Sequence, residues 1–112
     1  MNSFHLTAIG RLAHDPEPGR NGEVRFALIG EDYAGKGREP VTTSVYFVAF
    51  NGIGETLVQH ARKGDQLILE AQLRANNYEK DGKTIYDYTY VVLGFKFGAP
   101  GKAKRQALQQ QA

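Results

Sequence analysis

An all-β barrel of five strands, with one short helix between strands 3 and 4, is the fold class that three observations predict. Five separate runs alternate apolar with polar residues, the pattern of half-buried strands. Glycines, prolines and the pairs Asn21-Gly22 and Asp81-Gly82 fall in the gaps between runs, where they permit tight turns. A single stretch changes its apolar period to about four residues, and it follows the third strand.

The first strand is read in Phe4 to Leu12, where Phe4, Leu6, Ala8 and Leu12 share one side. Val24, Phe26 and Leu28 repeat the alternation as strand two. The segment His14 to Gly22 between them is rich in turn formers and ends in Asn-Gly, so these strands are expected to be antiparallel neighbours. Glu31 to Pro40 reads as a long connection, because it holds Gly35, Gly37 and Pro40 among charged residues. Val45, Phe47 and Ala49 form the third strand. Ile53, Leu57 and Ala61 then recur at helical spacing, with Arg62, Lys63 and Gly64 expected as cationic last turn and glycine stop. Leu67, Leu69, Ala71 and Leu73 mark strand four, and a hairpin at Asp81-Gly82 leads into strand five, Ile85 to Phe97. Tyr86, Tyr88 and Tyr90 are expected on one face of that strand. This element order is that of the OB-fold, a partly open Greek-key barrel that often binds oligonucleotides or oligosaccharides. The domain is expected to span 1–98, followed by a loose basic, Gln-rich tail over 99–112.

Length and composition narrow the function classes. The chain has 112 residues, 41% of them hydrophobic and 23% charged, which suits one globular domain. No run reaches the ~20 apolar residues of a membrane helix. His5, Thr7 and Arg11 interrupt the first apolar stretch, so no secretory leader is expected, and a cytoplasmic setting follows. The formal net charge of +2 is unevenly placed. Residues 1–98 carry eleven Lys and Arg against twelve Asp and Glu, whereas 99–112 carry Lys102, Lys104 and Arg105 with no acid. Bulk charge therefore does not argue for nucleic acid; the placement of cations and rings has to.

Catalytic and metal chemistry find no support in the residues. There is no cysteine, and His5, His14 and His60 have no ligand or triad spacing. Gly30-x4-Gly35-Lys36 resembles the start of a phosphate loop, yet Gly37 stands where Ser or Thr must hold magnesium, and a strand follows in place of a helix. Gly52-Ile53-Gly54 is more economically a strand-to-helix turn. No catalytic residue, metal site or cofactor is expected.

Aromatics interleaved with cations are the informative feature: Tyr33, Lys36 and Arg38 in the long connection, then Arg74, Tyr78 and Lys80, then Lys83 with Tyr86. Single-stranded nucleic acid asks for this combination, because cations track phosphates while ring faces stack on exposed bases of any sequence. The ordinary alternative is that strand tyrosines support cross-strand packing and charged hairpin tips are merely solvated. Phe50 reads equally well as a core aromatic or as a stacking ring.

Two motifs carry a family resemblance. Arg62-Lys63-Gly64-Asp65-Gln66-Leu67-Ile68-Leu69-Glu70-Ala71-Gln72-Leu73-Arg74 resembles the R-K-G-x-Q-x-x-x-E-G-Q-L-R signature of bacterial single-stranded DNA-binding proteins. Gly10-x-Leu12-x-x-Asp15-Pro16-Glu17 resembles their G-x-L-x-x-D-P-E. The short length resembles especially the plasmid- or mobile-element-borne members. The resemblance implies a homotetramer of OB-folds that wraps and protects single-stranded DNA during replication, recombination or repair. By position it implies stacking roles for Tyr78, Phe50 and Tyr33 and phosphate contacts for Arg74 and Lys63. With Arg11, Lys36, Arg38, Tyr46, Lys80, Lys83 and Tyr86 these make up the candidate DNA-binding set.

The departures from the family pattern are specific. Ser44 and Val45 replace its Trp-His pair in strand three, Asn76 and Asn77 stand where cations are common, and Ile85 replaces a basic residue. The acidic tip through which the family recruits replication and repair enzymes has no counterpart in 99–112, so such partners are left open. The apolar character of strand one and the tyrosine row nevertheless suggest surfaces buried between subunits, which gives a homotetramer as the expectation and a dimer as the fallback. Two other functions fit the same residues: a primosome-type accessory protein on this fold, and a protein-interaction module for which DNA is incidental.

Overall fold

The computed structural model describes residues 3–101. Its elements are β1 (Phe4–Leu12), β2 (Glu17–Pro18), β3 (Val24–Asp32), β4 (Val41–Ala49), α1 (Asn51–His60), β5 (Gln66–Ala75), β6 (Tyr78–Lys80), β7 (Lys83–Ile85) and β8 (Tyr88–Phe97). Strands β1, β5, β8, β4 and β3 follow one another in that order, and β3 returns to pair with β1, so the sheet closes. The joins are antiparallel except between β4 and β8, which run parallel with Phe47 opposite Tyr90 and Val48 opposite Val91. This is the five-stranded OB-fold barrel, with one helix between its third and fourth strands.

Period-two alternation fills the barrel. Phe26 and Leu28 on β3, Phe47 and Ala49 on β4, Leu67, Leu69 and Ala71 on β5 and Val92 on β8 form the core. At its centre Phe26 and Phe47 stack with centroids 5.5 Å apart, and Phe47 meets Tyr90 at 5.8 Å. Helix α1 closes one end by inserting Leu57, followed by Ala61. Gly54 allows that approach: a Cβ there would lie 2.9 Å from Cγ2 of Val24.

Closure is uneven. β1 pairs with β5 from Phe4 to Arg11 but with β3 only at Arg11 opposite Ile29 and Leu12 opposite Leu28. Where β1 and β3 part, a cavity of about 280 Å³ opens between Leu6, Ala8, Leu28 and Val45.

A buried carboxylate fastens the far side of the helix. Asp65 accepts the N–H of Arg62 through Oδ2 and the N–H of Gly101 through Oδ1, both at 2.9 Å. The Arg62 guanidinium donates to the carbonyls of Val58 and Ala61, covering the last helical turn.

Several expectations are corrected. The Asn21-Gly22 turn does not join β1 to β3; it joins the added strand β2 to β3, with the Gly19 N–H donating to the Glu23 carbonyl. The helix stops earlier than its glycine, because Ala61 is already extended, and Gly64 (φ +89°) instead serves the following turn. The third strand begins at Val41. The fifth strand does not run unbroken from Ile85: β7 pairs with β6 in a separate hairpin about Asp81-Gly82, and β8 starts at Tyr88. Tyr86 thus falls between strands, and Tyr90 turns into the core, so the three tyrosines do not form one row. The expected tail, with Lys102, Lys104 and Arg105, lies outside the described residues apart from 99–101.

Candidate nucleic-acid interface

The outward positions of β3, β4, β5 and β8 carry a mixed aromatic and cationic surface. Alternation that buries Phe47 to 1% exposure leaves its neighbour Tyr46 71% exposed on the outer face of β4. Tyr46 lies opposite Ala27, diagonal to Arg25, which projects outward between the buried Val24 and Phe26. Across β8, Arg74 pairs with Thr89, one residue before the Tyr90 that faces Phe47. Tyr46 and Arg74 therefore flank the same stretch of β8. The Arg74 guanidinium is steadied by Oε1 of Gln72, to which its Nε and Nη2 donate at 3.2 and 3.1 Å.

Tyr88 is 65% exposed at the start of β8, on the same face of that strand as Tyr90, where β8 has not yet reached the core. Its N–H donates to Oδ1 of Asp87, and the Asn76 N–H donates to the Asp87 carbonyl, both at 2.8 Å. The Asn76 bond closes the base of the β6–β7 hairpin, and the Tyr88 bond orients the Asp87 carboxylate. Between Arg25, Tyr46, Asn76 and Tyr88 lies a cavity of about 220 Å³.

The other candidates sit on two projections. Tyr78, Lys80 and Lys83 are exposed on the β6–β7 hairpin, with Lys80 directly opposite Lys83 beside the turn. Like charges so placed repel, and a bound anion relieves the repulsion. Tyr33, Lys36 and Arg38 occupy the 33–40 connection between β3 and β4, where Arg38 N–H donates to the Gly35 carbonyl. Tyr33 is fully outside the core.

Arg11, Phe50 and Lys63 form no part of the Tyr46 cluster. Arg11 donates from Nη1 to the Gly64 carbonyl at 2.9 Å, and the Lys63 N–H is held by Oδ1 of Asp15 at 2.7 Å. Phe50 sits at the N-cap of α1 and is 43% exposed, so it is not a core residue. Tyr86 is exposed between the two hairpin strands and the barrel.

Sequence reasoning missed Arg25 and assigned Tyr88 to a subunit surface. The signal for Arg25 was present in Val24-Arg25-Phe26, a lone cation at the outward position of a core strand. Among the described residues no group of His, Asp and Glu is placed to hold a metal ion, and no helix is long and apolar enough to cross a membrane.

No family model matches the chain. It is 34% identical over 104 residues to a single-stranded DNA-binding protein of Clostridium perfringens, an alignment that covers 87% of this chain and 65% of that protein. It is 30% identical over 86 residues to single-stranded DNA-binding protein 1 of Streptococcus pyogenes, covering 72% and 66% respectively. The chain spans slightly less than two thirds of the length of these relatives. The same barrel occurs in the mitochondrial single-stranded DNA-binding protein of S. cerevisiae, with a TM-score of 0.69 at 16% identity over 90% of this chain and 100% of that one. It recurs in a Plasmodium falciparum protein solved with single-stranded DNA, with a TM-score of 0.68 at 16% identity over 88% and 100%. Signature motifs in order, identity of about 30% across most of the chain and a shared closed barrel make this chain similar to bacterial single-stranded DNA-binding proteins.

Proposed function

We propose that the chain binds single-stranded DNA without requiring a sequence, stacking bases on exposed rings and neutralising phosphates with the cations beside them, and that it performs no catalysis. The observation that carries this reading is the outer surface on which Tyr46 stands exposed, diagonal to Arg25 and across β8 from Arg74, with Tyr88 exposed at the start of that strand. The hairpin lysines and the 33–40 connection extend the cationic path on either side. Tyr78 and Tyr33 supply further stacking faces, and protection of DNA in replication, recombination or repair is the role such binding serves. The setting is the bacterial cytoplasm, at the nucleoid or a plasmid.

Anisotropy titration of labelled oligo-dT beside the equivalent duplex tests the reading. Single-strand binding exceeds duplex binding and weakens as salt rises, with a shallow slope because few cations are engaged. Equal affinity for the two forms refutes it.

The assembly belongs to the same proposal. Exposed Ile9 on β1 lies opposite Ile68 on β5, and exposed Leu93 on β8 adds to an apolar outer strip that a second copy would cover. A symmetric homotetramer is expected, with a dimer as the fallback, and sedimentation equilibrium at micromolar loading reads it directly. A stable monomer of 12.4 kDa contradicts it.

A further inference from the structure

We propose that the cavity beside Tyr46 is a guanine-selective subsite within an otherwise indifferent groove; this rests on the single-stranded DNA reading above. The cavity, about 220 Å³, is lined by Arg25, Tyr46, Val48, Asn76, Asp87 and Tyr88. The Tyr46 ring and a buried valine offer flat apolar surface to a base, while an arginine and an aspartate offer it polar edges of opposite kind. The Arg25 side chain makes no hydrogen bond or ion pair within the described residues, so its fork of donors is uncommitted. Asp87 is oriented by its neighbour, since Oδ1 accepts the Tyr88 N–H at 2.8 Å, and Oδ2 is left to accept from a ligand.

Base chemistry then selects. A guanidinium fork prefers two adjacent acceptors, and guanine presents O6 and N7. A carboxylate prefers adjacent donors, and guanine presents N1–H and its N2 amine on the other edge. Adenine sets a donor beside N7, thymine lacks the paired donors, and cytosine has a single donor group. Guanine alone matches both walls. The two polar residues come from β3 and from the β7–β8 junction, which are brought together only by the parallel pairing of β4 with β8.

The test uses oligo-dT in which every third thymidine is replaced by dG, dA or dC, so that any register presents a guest to the cavity. Lithium buffer suppresses guanine self-association. Competition titrations should show the dG series binding about tenfold tighter than the other guests, the scale of one good base-edge contact. Inosine, which lacks the N2 amine, and 7-deazaguanine, which lacks N7, should each lose part of the gain. Asp87→Asn puts an amide donor against the guanine donors and should abolish the preference, with a thermal melt confirming that the variant is folded. Uniform affinity across guests, or preference for another base, with oligo-dT binding intact overturns the subsite alone. Failure to bind any single strand overturns both the subsite and the reading beneath it.

Discussion

Replacing Tyr46 and Phe47 one at a time by alanine separates binding from stability across a single step of the chain. The two residues are consecutive on β4 and point to opposite faces of the barrel wall. Phe47 is 1% exposed, stacks on Phe26 and touches Tyr90, so Phe47→Ala leaves a cavity at the centre of the core. Truncations of that kind cost about 3–5 kcal/mol. For a domain of this size such a loss lowers the melting temperature by more than about 10 °C. Tyr46, by contrast, is 71% exposed and has the small Ala27 opposite it on β3, so its loss from the fold is worth a few tenths of a kcal/mol, on the order of one weak cross-strand pair. In the complex, however, it forfeits one stacked base, about 1–3 kcal/mol, or roughly 5- to 150-fold in Kd. Circular dichroism melts and oligo-dT anisotropy on both variants read the two quantities. Tyr46→Ala that keeps full affinity, or that melts as early as Phe47→Ala, would refute the assignment of faces and the stacking role with it.

Tyr78→Ala should weaken oligo-dT binding by about 1–3 kcal/mol while Tyr78→Phe leaves it nearly unchanged, because a stacking ring uses its face; equal loss in both variants points to the hydroxyl instead. Asp65→Ala strands the buried N–H groups of Arg62 and Gly101 and should cost about 2–5 kcal/mol in urea denaturation, with Asp65→Asn retaining part of the stability through its carbonyl oxygen. Gly54→Ala sets a methyl 2.9 Å from Cγ2 of Val24 and should destabilise by about 1–3 kcal/mol, read as a lower melting temperature with unaltered DNA affinity once folded.

What the sequence reveals and what it hides follow from where the determining contacts lie. Val24, Phe26 and Leu28 are buried as their alternation implies, since a strand that lines a barrel must show the core every second residue. Leu57 likewise announces the inward stripe of α1. The break at Tyr86 and Asp87 leaves only a faint local trace, because Asp87 alone interrupts a run from Thr84 to Tyr90 otherwise made of strand formers. It arises because the chain must leave the hairpin to reach both β5 and β4, a demand set by residues far away. Exposure separates Tyr46 from Tyr90, and neither composition nor spacing distinguishes those two tyrosines. The Arg25 and Asp87 juxtaposition depends on the pairing of four strands and has no local trace at all.

The short join between β1 and β3 has a consequence for how the molecule breathes. Opening it breaks the pairing at Arg11 with Ile29 and Leu12 with Leu28 and the bond from the Ala13 N–H to the Ala27 carbonyl, while β1 stays fastened along its length to β5. The barrel is therefore a curled ribbon with a loose hem, and its cheapest excursion from the native state is to unroll there without dissolving the rest. Amide protons near that hem should exchange with solvent through local opening, well before those between β5 and β8, whose release requires global unfolding. Because the cavity between Leu6, Ala8, Leu28 and Val45 already lies along the parting, little further apolar contact has to be broken at the first step, and the hem sets the floor of the protein's ladder of opening energies.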